Sequence, residues 1–374
     1  MSARRAVITL AAVLAAGCGD SGGTIHLGVA GPMQQANGRS MHNAALMAVE
    51  EINRAGINGR TLALVVKDDR GTGEGAIEAA MALRTDERVV AVVGHINSAA
   101  TLAAAEIYNE PGEGLVELSP ASSSPRISRA GPWTFRVCPT DLQHGGSLAE
   151  QAHGPLNVRR AAVLYENDAY GRGVLETFAT AFAKLGGTVV TRDPLLSGLT
   201  SEQAELDVGP YLERAFLHGV DALVIGGQSG TGLGIIRAAR RLGFDGPVLG
   251  ADGLTGIRNA GPVAEGVFVS SAYLPDRPTE ASRTFVQAYE ERFGELPDHR
   301  AAMAYDAVHL LARVIGEAGT DREDIRDALA EVGRGKPAFE GVSGSIGFDA
   351  NGDLQRTEVA VGVVRDGMLV STGR

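Results

Sequence analysis

From residue 25 onward one pattern recurs: a short run of β-branched and aliphatic residues, a loop of small residues, then an amphipathic stretch, and the whole series runs through twice. Parallel strands cannot be joined by a tight turn, so such alternation restricts the chain to parallel sheets with helical crossovers. Residues 25–30, 62–66, 89–93 and 115–118 are predicted strands, separated by predicted helices over 38–55, 75–84 and 98–109. On the first helix Ala45, Val49 and Ile52, with Met47 or Ala48, share the inner face. The stretch 132–141, with Pro139 and an isolated Trp133, reads as a crossover. The series then restarts, with strands at 161–165, 188–191, 222–225, 248–249 and 267–270, and with helices ending at 185, 218 and 242. Long helical patterns follow at 280–293, 301–317 and 322–332, and the tail, 345–348 and 358–369, is β again, with Asp366-Gly367 as a hairpin turn. No repeat of 20–50 residues is present, so a solenoid is excluded. A length of 374 residues fits two domains or one large α/β unit, and two similar doubly wound lobes fit best.

The 50 glycines follow no three-residue period and proline numbers only 15, which excludes a collagen-like chain. A formal charge of -11 disfavours a phosphate-binding surface, hence no nucleic-acid partner is expected. Arg4 and Arg5 precede an apolar run over 6–16, then Gly17 and Cys18, the pattern of an export signal over 1–17. That run is too short for a membrane span, which needs about 20 apolar residues, and no later segment comes close. The stretch 14–18, Leu-Ala-Ala-Gly-Cys, resembles a bacterial lipoprotein signal with Cys18 as the lipidated first residue and 18–23 as a tether. It departs from that pattern at Ala15, where leucine is preferred, and an ordinary signal with an incidental cysteine is the alternative. Cys138 is the only other cysteine, so the mature domain has no disulfide of its own.

Ligands of open α/β sheets bind beyond the carboxyl ends of the strands. After 89–93 comes Gly-His-Ile-Asn-Ser-Ala-Ala-Thr (94–101), containing Asn97 and, at the expected N-cap, Ser98, whose hydroxyl and neighbouring free amides suit an anion. After 115–118 comes Ser-Pro-Ala-Ser-Ser-Ser-Pro (119–125), with Ala121 and Ser123, suited to the same anion, and a carboxylate fits both loops. In the second series the loops carry Tyr170, Gln228 and Asp252, and an aspartate at a strand end could hold an ammonium. Each has a plainer reading: Ser98 as a cap, the serines as a solvated loop, Asp252 beside Gly253 as a turn residue, and Tyr170 as a ring packed over Gly171.

Twelve segments, among them Leu-Gly-Val-Ala-Gly-Pro (27–32), the loop at 94–101, Leu-Ser-Pro-Ala (118–121), Ala-Tyr-Gly (169–171), Gly-Ala-Asp-Gly (250–253), Ala-Tyr-Asp-Ala (304–307) and Gly-Phe-Asp-Ala-Asn-Gly-Asp (347–353), run in order along the mature chain. Together they resemble the substrate-binding proteins of branched-chain amino acid ABC importers, a type I periplasmic binding protein family. The resemblance implies two doubly wound parallel-sheet lobes joined by a three-crossing hinge, with 24–139 and 275–336 in the first and 140–274 and 337–374 in the second. It implies a carboxylate site on Ser98, Ala121 and Ser123, an ammonium site on Asp252, and wall positions at Tyr170 and Gln228. It further implies an amino acid or similar small polar ligand, permease subunits as partners, no cofactor, a monomer, and a periplasmic place with membrane contact only through the anchor. The chain departs from the family at Asn37, Gln228 and Arg300, where aromatics are frequent, which suggests a ligand more polar than leucine. A second ligand acid facing Arg300, or a solvated Arg300, are the two readings of that residue.

Two other functions compete. Gly71-Thr-Gly73-Glu-Gly75-Ala76 matches a dinucleotide fingerprint, but it follows the second strand and stands behind Asp68 and Asp69, which would repel a pyrophosphate. Hydrolase spacing fails at Gly227-Gln-Ser229-Gly230, no His/Cys cluster marks a metal, and His95 reads as structural. A ligand sensor on the same fold, presenting its ligand to a receptor without transport, is not separable by sequence.

Overall fold

The computed structural model describes residues 23–355 and 358–372. The export signal, Cys18 and all but the last residue of the tether therefore lie outside the described residues.

The first sheet is built from β1 (Thr24–Gly31), β2 (Thr61–Asp68), β3 (Val89–Val93), β4 (Val116–Ser119) and β5 (Thr134–Arg136), with α1 (Ala36–Asn53), α2 (Gly73–Arg84) and α3 (Ser98–Tyr108) as crossovers. Its order is β2-β1-β3-β4-β5, parallel throughout. After α4 (Asp141–His153) the second sheet follows: β6 (Arg160–Glu166), β7 (Thr188–Leu195), β8 (Ala222–Gly226), β9 (Val248–Gly250) and β10 (Phe268–Ser271). Its crossovers are α5 (Ala169–Lys184), α6 (Ser201–Asp207), α7 (Gly209–Leu217), α8 (Ser229–Arg241) and a kinked 3-10 segment, Asp252–Ala264. These strands run parallel in the order β7-β6-β8-β9-β10, which repeats the first sheet's arrangement. Two central strands, β3 and β8, are buried along their whole length, because helices cover both faces of such a sheet and the strands can be apolar throughout.

From β10 the chain returns to the first core with α9 (Glu280–Phe293), α10 (His299–Ala318) and α11 (Arg322–Ala330), then the small ladder of β11 (Phe339–Glu340) and β12 (Ser345–Ile346). It crosses a third time to add β13 (Ala360–Arg365) and β14 (Met368–Ser371) antiparallel to the edge of the second sheet. Asp366 and Gly367 both take positive φ at this hairpin, as the sequence predicted for a primed turn. Where the sequence places the last crossing at 336, Val342, Ile346 and Phe348 are still buried in the first core. Phe348 packs edge-on against Phe135, 5.2 Å between centroids, and the Arg136 amide donates to the Gly352 carbonyl at 3.0 Å, so the first lobe keeps the chain to about residue 353.

Several elements had no counterpart in the sequence reading: the 3-10 turn Pro125–Arg129, β5 inside the supposed crossover, α4, the short α6, the 3-10 segment after β9, and β11. Trp133 is buried rather than isolated: it lies against Gly114, where a β-carbon would be 1.9 Å from the ring, and under the Arg326 guanidinium at 4.5 Å.

Candidate ligand site between the lobes

In each sheet the strand order reverses between its first and third strands, and the loops at their carboxyl ends open onto the cleft. In the first lobe these loops are tied together from beneath by a buried network. His95 Nδ1 bonds Asp69 Oδ2 at 2.6 Å, and the His95 carbonyl accepts from the hydroxyls of Ser119, Ser122 and Thr101. His95 is structural, as the sequence suggested, and Asp69 is fully buried as its partner. Arg136, with no exposed surface, holds the same loop from the other side: Nη1 donates to the Ser122 and Ser124 carbonyls at 3.2 and 2.8 Å, and Nε to Asp353 at 2.6 Å.

Ser98 is not the cap of α3. Asn97 occupies that position without a side-chain cap bond, and the Ser98 hydroxyl, one residue inside the helix, accepts from the Ser124 amide at 3.1 Å. The two expected carboxylate loops are thus joined directly. Ala121 is buried beside them in the core, and Ser123 faces Asp141: its carbonyl accepts the Asp141 amide at 2.7 Å. Burial and the charge of Asp252 raise the Asp141 carboxyl well above its ordinary range, against the opposing effects of the Ser123 hydroxyl and Arg136. Asp141 thus stands beside the serines with its charged form disfavoured, compatible with a carboxylate arriving there.

Asp252 is neither a solvated turn residue nor a free acid. It is 3% exposed, and its Oδ1 accepts the Tyr170 hydroxyl at 2.9 Å. Tyr170 in turn accepts the Gly253 amide at 2.7 Å, so its ring serves the Asp252 loop rather than packing over Gly171. Asp168 caps α5 through the Tyr170 and Gly171 amides, and a β-carbon at Gly171 would lie 2.1 Å from the Glu166 carbonyl, so only glycine lets the helix start here. On the far side, Asp252 Oδ2 stands 3.7 Å from His144 Nε2 and 3.6 Å from His299 Nε2, distances beyond a hydrogen bond. Burial raises the Asp252 carboxyl; protonation of His144 and of His299, the charge of Arg300 and the Tyr170 hydroxyl pull it back below its ordinary value.

Asn37, Gln228 and Arg300, the three positions expected to be polar where aromatics are frequent, line one cavity of about 250 Å³ together with Ser40, Thr255 and Asp298. Its lining reaches neither Ser98 nor Ser123. Arg300 is not solvated. It is buried, and Nη1 donates to Thr255 Oγ1 across the cleft at 3.0 Å and to Asp298 Oδ2 at 3.2 Å. Burial would raise Asp298, but Arg300, His299, the Ser40 hydroxyl and the Ala301 amide bring it down to about 2. Arg300 thus already has a carboxylate of the protein's own.

His144, His299, Asp141, Thr255 and Asp298 escaped the sequence reading. Their partners are remote along the chain, as with His144 and Ser270 at 3.0 Å or Thr255 and His299 at 3.4 Å, and no spacing announces them. The dinucleotide reading fails on geometry. The Gly71 amide donates to Asp69 at 2.8 Å and the Gly75 amide to Thr72 at 3.0 Å, so the loop's donors already serve its own residues. Among the described residues no helix is long and apolar enough to cross a membrane.

A family model described as periplasmic binding protein matches residues 25–367. The Leu/Ile/Val-binding protein homolog 1 of Brucella abortus is 28% identical, over 92% of this chain and 91% of its own. An amino acid binding protein of Pseudomonas aeruginosa is 28% identical over 90% and 88%. Among solved structures, the leucine binding protein LivK of Thermotoga maritima aligns with a TM-score of 0.85 at 30% identity, covering 93% of this chain and 98% of that one. A benzoate complex from Rhodopseudomonas palustris shares the fold at 20% identity, with a TM-score of 0.83 and 94% of this chain covered. These relatives are named for binding and not for a reaction, and a solute-binding role outside the cytoplasm, rather than catalysis, goes with the family. With this architecture and this alignment over nearly its whole length, the chain belongs to the type I periplasmic binding proteins of the branched-chain amino acid family.

Proposed function

We infer that the protein captures an amino acid between its lobes and delivers it to the membrane permease of an ABC importer. The observation that carries this reading is the opposition of two ends of the cleft. Ser98, Ala121, Ser123 and the linked serine loop, beside an Asp141 whose carboxyl is raised well above its ordinary range, suit a carboxylate. Across from them an ionised, buried Asp252 with one oxygen outside hydrogen-bond range of its neighbours suits an ammonium. Amino acids carry those two groups on one carbon. The polar trio Asn37, Gln228 and Arg300 favours a polar side chain over leucine's. Because Asp298 already neutralises Arg300, an uncharged polar side chain fits better than a second acid.

The moving bodies are residues 24–139 with 275 to about 353, and 140–274 with the segment from about 358 onward. Cys18 anchors the chain by lipid to the membrane, and the chain works as a monomer. Calorimetry with L-glutamine, L-glutamate and L-leucine tests the ligand class: the reading expects the strongest binding from glutamine. Tight leucine binding with no response to either polar amino acid would sink the polar-pocket part, and no response to any amino acid would sink the whole.

A further inference from the structure

His299 is the first residue of α10 and belongs to the first lobe, yet its ring lies against the acid of the second, with Nε2 3.6 Å from Asp252 Oδ2. Its tautomer follows from Thr255. A hydroxyl has one proton, and Thr255 gives it to the Asp252 carbonyl at 3.0 Å while accepting from Arg300 Nη1. Toward His299 Nδ1, 3.4 Å away, Thr255 can then only accept, so Nδ1 carries the hydrogen. Burial, aided by Arg300 and His144 and opposed by Asp252 and Asp298, brings the ring down to about 4. At neutral pH Nε2 is therefore a bare lone pair, buried and without a hydrogen-bond partner in the chain. It faces Asp252 Oδ2 from the opposite lobe, and two buried acceptors face each other at a cost unless a donor stands between them. A hydrogen-bond donor, N–H or O–H, satisfies such a pair, and an ammonium does so with two N–H groups on one nitrogen.

We propose that His299 is a specificity-determining residue that accepts a hydrogen bond from the ligand's ammonium alongside Asp252, so that the closed site selects solutes with at least two N–H donors on one nitrogen. The proposal rests on the amino-acid reading above and adds the residue that enforces it. His299 and Asp252 come from opposite lobes, so the amine is tested at closure. A solute with a carboxylate alone brings only acceptors, leaves both lone pairs opposed and is rejected. Two acceptors bonded to one tetrahedral nitrogen stand about 4.5 Å apart at ordinary hydrogen-bond lengths. Around a bound ammonium the two acceptors therefore stand about an ångström further apart than their 3.6 Å here.

The test uses the full chain, the His299→Leu and His299→Gln variants, and the twenty standard L-amino acids, by thermal shift and then calorimetry. The amino acid that binds the parent most tightly is compared with its N,N-dimethyl and 2-hydroxy counterparts. The leucine variant should bind that amino acid at least tenfold more weakly and lose most of the parent's preference over the two counterparts. The glutamine variant, whose Oε1 replaces the lone pair, should stay within about threefold of the parent. If the leucine variant binds like the parent, or both variants lose equally, the role of His299 is overturned while the amino-acid reading stands. If the parent binds none of the twenty, both fall together.

Discussion

Replacing Asp252 by asparagine removes one charge from the cleft and almost nothing else. The side chain is 3% exposed and its Oδ1, which takes the Tyr170 hydroxyl at 2.9 Å, has an equivalent in the amide oxygen. Oδ2 becomes an NH₂ group, which points donors at His144 Nε2 and His299 Nε2, 3.7 and 3.6 Å away. The fold should therefore be unharmed, since a buried charge is relieved and the bare His299 Nε2 gains a donor. Ligand binding should suffer: a charge-assisted hydrogen bond contributes about 1.5–3 kcal/mol, and the new donor opposes an ammonium instead of attracting it. At about 1.4 kcal/mol per decade this weakens an amino acid by roughly 10- to 150-fold. Calorimetry gives the affinity and a thermal melt without ligand gives the fold. The reasoning is refuted by an affinity loss below about threefold, by an equal loss for the 2-hydroxy counterpart, or by a melting temperature lowered by more than about 8 °C.

Arg136→Met should cost about 3–5 kcal/mol in urea unfolding, because it strands Asp353 and frees the Ser122 and Ser124 carbonyls; a loss below about 1 kcal/mol would contradict the assigned support of the serine loop. Acid should destabilise the fold through His299, whose folded value of about 4 lies below the ordinary 6.5. The unfolded chain takes the proton first, so this contribution is complete above about pH 6.5 and is lost as pH falls toward 4, at up to about 1.4 kcal/mol per unit. His299→Gln should flatten that part of the stability profile, and an unchanged slope would be decisive against a neutral buried ring. Arg258 donates from the second lobe to the Leu296 carbonyl at 2.6 Å and the Pro297 carbonyl at 3.5 Å in the first, bonds that link the lobes across the cleft. Arg258→Ala should enlarge the ligand-free radius in solution scattering and weaken apparent affinity about 5- to 30-fold, in step with the lost closed population; an unchanged radius would remove the latch.

What the sequence determined by itself is the part of the protein written in short-range periodicity. Strands such as Val89–Val93 and Ala222–Gly226 are continuous apolar runs because helices cover both faces, and the amphipathic stretches between them can be nothing but crossovers. The hairpin at Asp366-Gly367 was legible because two consecutive positive φ angles demand such residues. The loops holding Ser98, Ser123, Tyr170, Gln228 and Asp252 could be singled out because parallel topology puts strand ends at the cleft. Some elements were not legible: the 3-10 segment Asp252–Ala264, rich in glycine and interrupted by Pro262, has no helical period, α4 carries Gly145 and Gly146 in its interior, and β5 has only three residues.

Tertiary structure alone decided what those loops do. Whether Ser98 caps a helix or joins two loops depends on the Ser124 amide, supplied by another crossover. Whether Arg300 meets solvent, a ligand acid or Asp298 depends on how α10 begins and on Thr255 in the opposite lobe. The setting of Asp252 comes from Tyr170, His144 and His299, drawn from three helices and both lobes. Hydrogen bonds and charges act over a few ångströms of space and ignore distance along the chain, so a site assembled from such remote residues leaves no local trace in the sequence.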